Sequence, residues 1–106
     1  MKEIKKIAVV GGGSWATAIV KMLTENQDSI SWWMRNEESI AHIQKYGHNP
    51  NYISAAQLDQ NKLHISSDIN DIVADADFIV FAVPSAFFKT TLKMLTVSLE
   101  GKFVMS

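Results

Sequence analysis

Five short apolar stretches punctuate the chain: Ile4–Val10, Ser29–Met34, Leu63–Ser66, Asp77–Val83 and Lys102–Met105. Three of them hold nearly unbroken apolar runs, Ile7-Ala8-Val9-Val10, Ile30 to Met34 and Phe78 to Val83. An alternating strand buries one face, whereas an unbroken run suits a strand covered on both faces, as in a parallel sheet. Between these runs the apolar spacing changes to that of helices. From Ser14 to Leu23, residues Ala16, Ile19, Val20 and Leu23 form one stripe. Asn36 reads as a helix cap, with Glu37 and Glu38 in the first turn and Ile40 and Ile43 facing inward. A short helix is predicted over Ile69–Ala74, started by Ser67 or Asp68. A last one covers about Ala86–Leu99, with Phe88, Thr91, Leu92 and Leu95 inward and Gly101 ending it. Strand-helix alternation of this kind predicts a parallel sheet with right-handed crossovers. The exception is Gly47–Asn61, a polar segment too long for a simple connector, which reads as a functional loop or an insertion.

Length and composition narrow the field of functions. The 106 residues make one domain, and 47% apolar with 20% charged residues is the balance of an ordinary globular protein. A formal net charge of -1 with scattered lysines gives no footprint for nucleic acid or an anionic membrane. The absence of cysteine excludes disulfides, thiolate zinc sites and a cysteine nucleophile within these residues. His42, His48 and His64 share neither a helical face nor a ligand spacing, so no metal site is expected. No signal peptide or membrane-spanning run is present, which makes the cytoplasm the default location.

The chemistry begins at Gly11-Gly12-Gly13-Ser14-Trp15-Ala16, directly after the first predicted strand and at the start of the first helix. This fits the G-x-G-x-x-G/A fingerprint of dinucleotide binding, with Gly11, Gly13 and Ala16 at the small positions. Gly11 permits the tight turn, Gly13 has no Cβ to block a pyrophosphate, and Ala16 lets the helix pack closely on the strand. The helix N-terminus then faces the diphosphate with its N–H groups and dipole. The fold class implied is α/β: a Rossmann-type doubly wound parallel sheet of about five strands. A strict NAD binder carries an acid at the end of the second strand; here that strand ends Trp32-Trp33-Met34-Arg35-Asn36. Arg35 suits an adenine face or the 2′-phosphate of NADP, so NADP is favoured over NAD. Glu37 and Glu38 are within reach of a ribose, but serving the helix start is the preferred reading, and NAD stays open. If the first and fourth strands are neighbours, Pro84, Ser85 and Phe87 form the wall opposite the glycine turn. Trp32 and Trp33 read as packing residues.

These motifs, taken in order, resemble those of bacterial NAD(P)-dependent glycerol-3-phosphate dehydrogenases. Gly11 to Ala18 is similar to that family's G-x-G-S-[WYF]-G-T-A, and Trp33-Met34-Arg35 to its W-x-[RH]. Asn49-Pro50-Asn51-Tyr52-Ile53 resembles its N-x-x-Y/F-L loop, and Ala82-Val83-Pro84-Ser85 its A-V-P-S turn. Ala16 stands where the family has a third glycine, and Ile53-Ser54-Ala55-Ala56 lacks the usual Pro-Gly. The resemblance implies that Ser14 and Trp15 contact the cofactor, with Arg35 at the adenosine end and Phe87 towards the nicotinamide. It also implies an intact enzyme that interconverts dihydroxyacetone phosphate and glycerol 3-phosphate with NAD(P)H and supplies phospholipid synthesis.

The chain stops at Ser106, at the end of an apparent strand, and reads as residues 1–106 of a cofactor-binding domain without its helical catalytic domain. No catalytic residue is expected within it, since Lys89 and Lys93 should face solvent. It is expected to bind cofactor weakly or not at all, and to turn over no substrate. A homodimer is left open. Two other readings stand beside this one: another Rossmann dehydrogenase, of the ketopantoate reductase or hydroxyacid dehydrogenase type, and a nucleotide-sensing domain without catalysis.

Overall fold

The computed structural model describes residues 6–27, 29–47, 58 and 60–105. The chain runs β1 (Ile7–Val10), α1 (Ser14–Thr24), β2 (Ile30–Trp33), α2 (Glu37–Tyr46), a 3-10 turn (Gln60–Lys62), β3 (Leu63–Ser66), α3 (Ile69–Ala74), β4 (Phe78–Phe81), α4 (Ser85–Lys93) and β5 (Phe103–Met105). All strands are parallel and the sheet order is β3-β2-β1-β4-β5, the doubly wound arrangement expected. Ile4, Lys5, His48 and the Asn49–Ala56 stretch lie outside the described residues.

Successive side chains of a strand point to opposite faces, so each unbroken apolar run feeds two cores. Ile7, Val9, Ile30 and Trp32 pack with Ala16 and Val20 of α1 and Ile40 and Ile43 of α2. Ala8, Val10, Trp33, Ile79 and Phe81 pack on the other face with Ile69, Ile72 and Val73 of α3 and Phe88 and Leu92 of α4. Trp32, Phe81, Ile30 and Ile79 are fully enclosed. Each such side chain contributes roughly 1.5–3 kcal/mol by its burial. By contrast Phe103, Val104 and Met105 of the outer strand β5 are exposed.

Two expectations need correction. β2 and β4 are each shorter than the apolar runs suggested, because Met34, Ala82 and Val83 already belong to the turns above the sheet, and β5 starts at Phe103 because the Lys102 N–H closes a turn on the Leu99 carbonyl. More substantially, α4 ends at Lys93 rather than near Leu99, and Gly101 does not cap it. The Asn70 side chain on α3 accepts hydrogen bonds from the Thr96 and Val97 N–H groups at 2.7 and 3.3 Å, and donates to the Met94 carbonyl at 3.1 Å. These tertiary bonds replace helical ones, while Leu95, Val97 and Leu99 still pack onto the core. Gly101, at φ 81°, instead makes the turn into β5. Of the two predicted starts for α3, Asp68 is the cap: its carboxylate accepts from the N–H groups of Asn70 and Asp71.

Candidate cofactor-binding site

The chain moves outward from β1 through β2 to β3, then returns past β1 to β4. A crevice opens beyond the carboxyl ends of the strands at such a reversal, and ligands of doubly wound sheets bind there. The glycine turn leaves β1 at that point.

Gly11 is held from β2 on both of its polar groups. Its N–H donates to the Trp33 carbonyl at 3.0 Å, and its own carbonyl accepts from the Trp32 indole Nε1 at 2.6 Å. Its φ of 136° is a conformation that L side chains rarely adopt, and a Cβ there would overlap the backbone carbonyl of Ala82. Gly13 differs. Its backbone is extended (φ −80°, ψ −174°), and a Cβ would meet nothing within 4 Å. Gly13 is also the N-cap of α1, with no side-chain cap bond and no acidic residue in the first turn. Thr17 ties the helix back to the turn, its N–H and hydroxyl both donating to the Gly13 carbonyl at 3.0 and 2.8 Å. Ala16 is fully buried under the turn, as close packing of α1 on the sheet requires.

A cleft of about 260 Å³ lies beside this turn. Gly11 and Gly12 form its floor, Trp33, Met34, Arg35, Asn36 and Ser39 one wall, and Val83, Pro84 and Phe87 the other. Arg35 reaches across, its guanidinium 5.9 Å from the centre of the Phe87 ring, within range of a cation–π contact. Among the described residues no carboxylate lines this cleft. Asn36 caps α2 by accepting from the Glu38 and Ser39 N–H groups at 2.8 and 3.2 Å, and Glu37 accepts from the Ser67 hydroxyl at 3.2 Å. A second cleft, of about 320 Å³, shares Val83 and is lined by Trp15, Phe81, Ser85 and Phe88. Trp15 is 62% exposed there, so it is not an aromatic buried beneath the loop.

The predicted residues therefore divide. Gly11, Arg35, Pro84 and Phe87 meet in the first cleft, Trp15 and Ser85 in the second. Gly13 and Ser14 open α1, and Ala16 supports it. Sequence reasoning missed Ser39, Thr90, Thr91 and Met94 as lining residues. The last three follow Phe87 at helical spacing, a signal that would have placed them on the same face. Lys89 and Lys93 are exposed and line neither cleft. Among the described residues no cluster suited to a metal ion occurs, and no helix is long and apolar enough to cross a membrane. The paired His64 and Asp71, 2.9 Å apart, are both exposed on the surface.

Residues 6–105 match the family described as the N-terminus of NAD-dependent glycerol-3-phosphate dehydrogenase. The chain belongs to this family. A glycerol-3-phosphate dehydrogenase [NAD(P)+] of Ectopseudomonas mendocina is 32% identical over 106 residues, all of this chain and 31% of the relative. One from Teredinibacter turnerae is 38% identical over 89 residues, 84% of this chain and 26% of the relative. The solved glycerol-3-phosphate dehydrogenase of Saccharomyces cerevisiae superposes with a TM-score of 0.78 at 26% identity, covering 95% of this chain and 31% of that one. For the Plasmodium falciparum enzyme the TM-score is 0.74 at 27% identity, over 83% and 27% of the two chains. The chain thus spans about a third of the length of these relatives, or less. Membership in this family takes the chain away from the ketopantoate reductase and hydroxyacid dehydrogenase alternatives.

Proposed function

We propose that these residues are the cofactor-binding part of an oxidoreductase that interconverts dihydroxyacetone phosphate and sn-glycerol 3-phosphate with NAD(P)H. One observation carries the reading: the chain of this dehydrogenase family leaves a cradle at Gly13, where a Cβ would meet nothing within 4 Å, at the uncapped start of α1. A diphosphate fits that cradle through the first N–H groups of α1 and the helix dipole. Arg35, Ser39 and Phe87 would hold the adenosine half in the first cleft. Ser14, Trp15 and Ser85 would flank the remainder, with Pro84 shaping the wall between. When bound, NAD(P)H supplies the hydride for the substrate carbonyl carbon.

The chain's own residues fix geometry. Glu37 and Asn36 are engaged within the fold, so the ribose end meets Arg35 rather than an acid, and NADPH is the favoured partner. Lys89 and Lys93 stay in solvent, and the proton donor and the groups gripping the substrate phosphate belong to a helical domain beyond these residues. The product would feed phospholipid synthesis in the cytoplasm. The test is heteronuclear NMR titration with NADPH and NADH, which reads millimolar as well as micromolar dissociation constants. Saturable shifts at Gly11 to Thr17 and Arg35 are expected; a spectrum unmoved by either cofactor contradicts the reading. Turnover of dihydroxyacetone phosphate by the full-length protein then tests the substrate.

A further inference from the structure

We infer that Trp32 is a positioning residue for the cofactor, acting through the glycine turn it never leaves. The inference rests on the cofactor reading above and adds a part to it. Gly11-Gly12-Gly13 is a run of three glycines, the backbone with the most conformational freedom to lose on ordering. Such a turn binds an anion well only if something else holds it in shape beforehand. Trp32 is fully buried, and its indole N–H donates to the Gly11 carbonyl at 2.6 Å. Its neighbour Trp33 takes the Gly11 N–H on its carbonyl, so β2 grips both polar groups of that residue. The peptide unit is planar, so anchoring the Gly11 carbonyl sets the Gly11–Gly12 plane and the path into Gly13 and α1. A Cβ added at Gly12 would meet the Met34 side chain at 3.4 Å, an ordinary contact.

Trp32→Phe keeps an aromatic ring in the core and removes the donor. NADPH affinity, read by the same NMR titration, is expected to fall about tenfold, the order of one buried hydrogen bond lost. Ile72→Ala, in the core on the opposite face of the sheet from Trp32, controls for lost stability: its melting temperature should fall while its affinity holds. Gly12→Ala, which stiffens the turn without a clash, should restore part of the affinity of Trp32→Phe. Unchanged affinity in Trp32→Phe overturns the inference, as does an equal loss in Ile72→Ala or no recovery with Gly12→Ala. If the wild-type chain itself fails to bind, the cofactor reading falls and takes this inference with it.

Discussion

The underside of the glycine turn and its open side lie two residues apart, at Gly11 and Gly13, and their surroundings have little in common. Gly11 sits at positive φ, gripped by Trp32 and Trp33 of β2 and pressed against the Ala82 backbone just beyond β4. Gly13 has an ordinary extended backbone and empty space where a side chain would go. The same residue type therefore answers two different demands. At Gly11 the fold requires the missing Cβ; at Gly13 no described residue does, which leaves that position open to the diphosphate proposed above.

Substitutions can separate the two sides. The largest effect is expected from Gly11→Ala, where backbone strain adds to overlap with the Ala82 carbonyl, in a residue whose N–H is tied to the Val10 carbonyl at 2.8 Å. A loss of about 3 kcal/mol or more is expected in urea unfolding. Mild destabilisation, below about 1 kcal/mol, would show that the turn yields and that the contrast is overdrawn. Gly13→Val should do the reverse. Its stability should change by no more than about 1 kcal/mol, the scale of an N-cap change. NADPH affinity should drop by roughly a hundredfold or more, through the filled diphosphate site.

Both glycines were legible from sequence, because the fingerprint names them, but their division of labour was not. It depends on which strand each one faces, and strand order cannot be read from apolar runs alone. The unbroken runs did predict a sheet covered on both faces, and the Ile69–Ala74 helix carries its cap and its apolar face within six adjacent residues. The end of α4 was not legible, since the decisive groups are on Asn70, far away in sequence. Trp32 was legible as a packing residue, yet its hydrogen bond to Gly11 was not. An indole in an apolar strand carries no sign of where its N–H points.

A smaller effect sharpens the open side. Arg35→Ala should weaken NADPH by about tenfold and NADH by no more than about twofold, if the guanidinium pairs with a 2′-phosphate. Equal losses for the two cofactors would mean that Arg35 only covers the adenine, as it now covers Phe87. The smallest effect is expected far from the turn. Asp68→Ala removes the cap of α3 and should cost about 1 kcal/mol in thermal or urea unfolding. Cofactor affinity should stay unchanged, and a loss of affinity there would mean that stability and binding are not separable in this domain.

The central claim is that the open side of the turn is a diphosphate site, and one paired titration addresses it. Amide shifts of the wild-type chain and of Gly13→Val are followed as NADPH is added, after both are shown to unfold at similar urea concentrations. The account predicts saturable shifts at Gly11 to Thr17 in the wild type and none in the folded variant. Equal binding by both, or by neither, would contradict it.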